Sequence, residues 1–188
     1  MILMKRTLAA MMLAIPLSVS ASDVSDQLTE HARSQFPGWL NNPTVIEAVK
    51  AQNAKHAGLS QDDVVKLDKQ WRAETKSGGG ELINATLANP LSVYLKKVQA
   101  DAQGMYTEIF VMDNKGLNVG QSDVTSDYWQ GDEAKWQKTY QVGADAIHVS
   151  DVEQDESSQV FQAQVSVPVV DGGQVIGAVT VGVNVDAL

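Results

Sequence analysis

The chain has 188 residues, of which 23 are acidic and 14 basic, and it has no cysteine. Without cysteine there are no disulfides, no thiolate metal sites and no cysteine nucleophile. A formal charge of −9 disfavours nucleic acid and anionic membrane surfaces, which reward basic patches, and leaves small ligands and proteins as partners.

Residues 1–21 have the pattern of a secretory signal peptide. Lys5 and Arg6 form a charged start, Thr7 to Leu17 an apolar run, and Val19-Ser20-Ala21 a small-residue cleavage site before Ser22. The run is well short of the roughly 20 residues that cross a bilayer as a helix. Cleavage after Ala21 and a periplasmic location are expected, with no membrane insertion of the mature chain. Lys5 and Arg6 are the leader's basic residues, so residues 22–188 carry 12 basic against 23 acidic residues, a charge of −11. That length suits one compact domain.

Residues 22–103 read as an N-terminal helical region. Val24, Leu28 and Ala32 repeat at spacing four until Pro37-Gly38 breaks the pattern. Asn42-Pro43 opens the next helix as cap and first residue, Val45, Ile46 and Val49 form its apolar side, and Gly58 closes it. Ser60 and Asp63 make a capping box for a third helix, whose stripe of Val64, Leu67 and Trp71 faces a core, with Arg72 beside it. Gly78-Gly79-Gly80 stops that helix. Glu81 to Ala88 and Pro90 to Ala102 complete the region, the latter after a second Asn-Pro cap.

From Gly104 the period changes to two, and residues 104–188 read as a sheet domain. Tyr106 to Asp113, the turn Asn114-Lys115-Gly116 and Leu117 to Gln121 form a hairpin. Ala146 to Val152 reads as a strand, and Asp151 to Glu156 as the exposed turn after it. Phe161, Ala163, Val165, Val167 and Val169 alternate with polar or small residues up to Asp171-Gly172-Gly173; Val175, Gly177, Val179, Val181 and Val183 continue the apolar face on the way back. Such alternation places one face on helices and the other over a cavity or solvent.

Between the two groups of strands lies Tyr128 to Tyr140, with two of the four tryptophans among carboxylates, amides and lysines. Rings in that company suggest a recognition surface. The alternative is a short helix, Asp132 to Tyr140, that seals one end of the sheet with Trp136 while its charges face water.

The order of elements resembles the PAS-like extracellular sensor domains of the Cache family. Gly173-Gln174-Val175-Ile176-Gly177-Ala178-Val179 resembles the family's last strand, Asp113-Asn114-Lys115-Gly116 its first turn, and Asp127 to Trp136 the crossover of a secreted, stand-alone subgroup. The resemblance implies an α+β fold: a five-stranded antiparallel PAS-like sheet behind the helical region. It also implies a small organic ligand held between the sheet and the loops over it. Cache domains serve chemoreceptors and sensor kinases; this chain has no membrane helix after residue 21, so it is expected to report to such a partner or act as a carrier. A ligand-free protein–protein interaction module is the alternative.

In that layout Tyr128, Trp129, Asp132 and Trp136 lie over the open face, with Tyr128 and Trp129 as walls and Asp132 or Asp123 as polar anchor. Gln121, Gln164, Ser166 and Thr180 contribute from the strands. Carboxylates and rings suit an amine-bearing ligand, whereas an anion needs Arg72, Lys135 or Lys138 turned inward. The sequence leaves both open. No cofactor or metal is expected: His31, His56 and His148 lack ligand spacing and read as surface or capping residues, and the acidic run lacks a calcium-loop pattern. Nor is an enzyme, since no Gly-x-Ser-x-Gly elbow occurs, Gly78-Gly79-Gly80 lacks the lysine of a phosphate loop, and Asp132 and Glu133 are adjacent and point apart.

Overall fold

Side-chain caps set the helical boundaries. The computed structural model describes residues 21–154 and 159–188, so the leader before Ala21 and the Asp155-Glu156 end of the acidic run lie outside the described residues. Six helices come first: α1 (Ala21–Gln35), α2 (Pro37–Leu40), α3 (Pro43–Lys55), α4 (Gln61–Ser77), α5 (Glu81–Ala88) and α6 (Pro90–Asp101). The Asn42 side chain accepts the Thr44 N–H at 2.9 Å, Asn89 accepts that of Ser92 at 2.8 Å, and Ser60 and Asp63 form the reciprocal box. Pro37 ends α1 but also begins a further turn, α2, because proline at the first helical position gives up a donor that has no partner there anyway. Gly78 closes α4 at φ 83°, a left-handed conformation suited to glycine. The Glu74 carboxylate then accepts the N–H groups of Leu82 and Ile83, capping α5 from the preceding helix.

The strands are β1 (Tyr106–Met112), β2 (Asn118–Gln121), β3 (His148–Val149), β4 (Glu153–Gln154), β5 (Phe161–Asp171) and β6 (Gln174–Asn184). They form one antiparallel sheet in the order β2-β1-β6-β5-β3, with β4 also on β5. The expected five strand positions are present, but the outer one is broken into two two-residue pieces. The cause is Ser150. Its hydroxyl accepts the Gln164 N–H at 2.9 Å and donates to the Asp151 carbonyl at 2.8 Å, taking the place of a backbone rung.

One face of the sheet carries the main core. Ile109, Val111, Val165, Val179, Val181 and Val183 are fully buried against Leu28, Phe36, Val45, Val49, Leu91 and Leu95 from the helices. Two parts of the expected alternation differ. Phe161, at the start of β5, is 46% exposed rather than core. In β6 the register passes from Val169↔Gly177 to Val170↔Val175, so Ile176 is an extra residue and packs on the core side in place of Val175. Gly177 lies under this bulge, where a Cβ would stand 2.3 Å from the Met112 carbonyl.

A second cluster, Val64, Trp71, Ile83, Leu117 and Tyr128, joins α4 to the segment after β2. Asp113 ties the β1–β2 turn to α3. It is fully buried and accepts the backbone N–H groups of Lys115 and Leu117, the Gln52 amide at 3.0 Å and a bond with His56 Nδ1 at 2.9 Å. His56, read from sequence as a surface or capping residue, caps α3 but is buried.

Candidate functional site

The face of the sheet away from the helices is largely polar by register, with an apolar patch of Phe110, Met112 and Ala178. Gln121, Phe110, Thr180, Ser166 and His148 follow one another across β2, β1, β6, β5 and β3 in a single row. The Ser166 and Thr180 hydroxyls bond to each other at 2.9 Å. In the next row the Gln164 amide donates to Glu108 at 2.8 Å, and beyond it the Thr107 hydroxyl donates to Gln162.

A crossover from β2 to β3 covers part of this face and is pinned at both ends. On the α4 side, Asp68 accepts the N–H groups of Tyr128 and Trp129 at 3.0 and 3.1 Å, and the Trp71 indole donates to the Thr125 carbonyl. Arg72 bridges Asp68 and Asp127. On the turn side, Gly116 (φ 82°) and Gly131 meet backbone to backbone; a Cβ on Gly116 would stand 2.5 Å from Gly131. The Gln130 N–H donates to the Gly116 carbonyl at 2.7 Å.

The crossover then forms one helical turn, α7 (Ala134–Gln137), shorter than the expected Asp132 to Tyr140. Thr139 donates its hydroxyl back to the Lys135 and Trp136 carbonyls, competing with the helical ladder at that point. Trp136 packs on Phe110, Met112 and Ala178, stacks on Tyr140 at 4.7 Å, and donates its indole N–H to the Asp113 carbonyl. Lys135 turns inward. Its side chain is 16% exposed, its ammonium lies 5.4 Å from the centre of the Phe110 ring, and Glu133 is its carboxylate partner at 3.0 Å.

Between α7 and the outer strands lies a cavity of about 380 Å³. Lys135 and Glu133 line it on the crossover side, His148 and Ser150 on the edge, and Gln162 and Gln164 from β5; Asp151 and Glu153 stand at its exposed side. Burial, then the charges of Lys138 and Lys135, hold the His148 imidazole below its usual range, which favours the neutral ring. The cavity therefore offers a cation, a neutral imidazole, amides and a hydroxyl inside, with carboxylates around them.

The residues expected to form the site are distributed as follows. Trp136 lies over the polar face as the sealing reading has it, with Phe110 beneath. Tyr128 stacks on Trp71 at 5.2 Å within the α4 cluster, and burial raises its phenol well above the usual range. Trp129 is half-buried, its indole donating to the Lys115 carbonyl at 2.9 Å. Asp132 and Asp123 are exposed, the latter accepting from Gln99 and Ser122. Gln121 and Thr180 are fully buried in the polar row; the Gln121 carbonyl accepts from Asn118 while its amide nitrogen has no partner among the described residues. Gln164 lines the cavity. His148, Ser150, Gln162 and Glu133 do so unforeseen, although His148 and Ser150 alternating with Ile147 and Val149 is a readable polar face.

No family model matches the chain, and no curated protein matches it. Among solved structures, it is similar to the sensor domain of the V. cholerae histidine kinase DctB, at 16% identity and a TM-score of 0.38, over 87% of this chain and 58% of that one. It is also similar to the ligand-binding domain of the Pseudomonas aeruginosa amino acid chemoreceptor PctC in complex with GABA (14%, TM-score 0.37, 86% and 58%). The Campylobacter jejuni chemoreceptor Tlp3 ligand-binding domain, in complex with 4-methylisoleucine, is similar at 12% and a TM-score of 0.37, over 82% and 62%. The chain spans about three fifths of the length of these structures.

Proposed function

We propose that this chain is a Cache-type sensor module that binds a small polar organic molecule in the cavity between α7 and the polar face of the sheet. The observation that carries this reading is Lys135, a cation turned inward on a chain of net charge −9. A lysine serving only solubility keeps its ammonium in water. This one is held over a ring and beside a single carboxylate, at the wall of a cavity that is otherwise polar.

The complement of that wall is a bipolar molecule. An anionic group suits Lys135, with N–H or O–H groups toward Gln164, Ser150 and the neutral His148; an ammonium group suits Glu133, Asp151 or Glu153. The two ligand chemistries left open by the sequence thus meet in one site. The crossover roofs this site and hangs from α4 through Asp68, so a ligand that draws α7 inward would pull on α4. On this reading the ligand state is presented in the periplasm to a membrane sensor kinase or chemoreceptor.

A thermal-shift panel of amines, carboxylates and amino acids tests it. A ligand at 100 times its Kd adds about 2.7 kcal/mol, a rise of several degrees for a domain of this size. The rise is expected to disappear in both Lys135→Met and Gln164→Ala. A panel without any shift, or a shift that both variants retain, would refute it.

A further inference from the structure

A second cavity lies on the other side of the crossover, and nothing in the sheet site uses it. Trp129, Gly131 and Trp136 meet Lys115, Leu59 and Val64 there around about 280 Å³. At about 30 Å³ per water, this is room for roughly nine waters or a single-ring molecule. Its aromatic walls are fixed. The Trp129 indole is tied to the Lys115 carbonyl at 2.9 Å and the Trp136 indole to the Asp113 carbonyl at 3.1 Å. Gly131 lets the Trp129 ring lie against the backbone, since a Cβ there would stand 2.4 Å from Trp129 Nε1.

Lys115 gives the cavity its charge. The side chain is half-buried, and its ammonium donates to the Leu59 carbonyl at 3.2 Å; among the described residues no carboxylate lies within ion-pair distance of it. The cavity also reaches Gln61, first residue of the 17-residue α4, whose N-terminal end is positive. That first turn carries two carboxylates, Asp62, which is exposed, and Asp63, which is engaged by Ser60 and Lys66. A half-buried lysine without a carboxylate partner among the described residues, lining one cavity with two indoles, is an incomplete ion pair with an aromatic wall.

We infer that this cavity binds a small planar anion, an aryl or heteroaryl carboxylate, with its ring against Trp129 and Trp136 and its carboxylate on Lys115. The ring gains apolar burial and offset stacking, and the carboxylate a charge-assisted hydrogen bond.

Benzoate and phenylacetate, titrated into the purified protein with tryptophan fluorescence as readout, test the inference. The expected result is a saturable change with either acid and none with benzyl alcohol or benzylamine. Binding weakens at least about tenfold in Lys115→Met and in Lys115→Gln, and persists in Lys115→Arg and in Lys135→Met, which alters only the sheet cavity. The inference is overturned by the absence of a saturable change, by benzyl alcohol binding equally well, or by unchanged affinity in folded Lys115→Met or Lys115→Gln. It is also overturned if Lys135→Met abolishes binding, which would place the probe on the sheet.

Discussion

Asp113 holds the turn between β1 and β2 by collecting two backbone N–H groups, an amide and an imidazole while fully buried. Asp113→Ala leaves those donors without an acceptor, at roughly 1–3 kcal/mol for each one left unsatisfied. A loss of about 3 kcal/mol or more is expected in chemical denaturation, with no direct effect on the residues that line the sheet cavity. His148 sets a pH dependence. Burial first, and Lys138 and Lys135 after it, lower its folded pKa below the unfolded value, and burial lowers that of His31. The unfolded chain therefore takes up protons first as pH falls below about 6.5, and stability that is complete above that pH is lost on acidification. His148→Gln is expected to flatten part of that loss in melting temperature measured between pH 7 and pH 5, leaving the part due to His31. Asp113 was visible in the sequence as the end of a strand before a glycine turn. Its partners Gln52 and His56 were not, because they lie 61 and 57 residues upstream and only the packed fold brings them near.

At the scale of elements, the helices were legible because their boundaries are local chemistry. Asn42, Ser60 and Asn89 cap within three residues of themselves, and each acts as its spacing predicts. Asn89→Ala is expected to cost about 1 kcal/mol, plus whatever its further bond to the Val119 carbonyl contributes, read as a shift of the denaturation midpoint. The crossover was less legible, since its conformation depends on Asp68, a residue that reads from sequence as one more charge on α4. Asp68→Ala frees the amides of Tyr128 and Trp129. Their hydrogen exchange is expected to accelerate at least about tenfold while the amides of β5 and β6 stay protected; equal acceleration everywhere would mean that the clamp supports the whole fold. The outer strand was misjudged for a related reason. Period-two alternation runs from Ala146 to Val152, but the Ser150 hydroxyl replaces a rung and leaves two short pieces.

For the whole molecule, the sheet separates two environments. Its helix-facing side is closed by side chains from α1, α3 and α6, and its other side is roofed by the crossover, with the polar cavity beside α7. The alternation in β5 and β6 announced that division, and Gln164, Ser166 and Thr180 fall on the polar side as read. Which basic residue turns inward was beyond the sequence, because Lys135 and Lys138 are equally plausible on a polar helix and only the geometry of a one-turn α7 over Phe110 selects Lys135. The proposed sensor function requires a small polar molecule in this cavity. The most direct measurement is amide chemical-shift mapping on labelled protein with the panel compound that stabilises it most. Saturable shifts are expected, concentrated at Lys135, His148, Ser150, Gln162 and Gln164 and lost in Lys135→Met. Shifts confined to the helical side of the sheet, or unchanged in that variant, would contradict it.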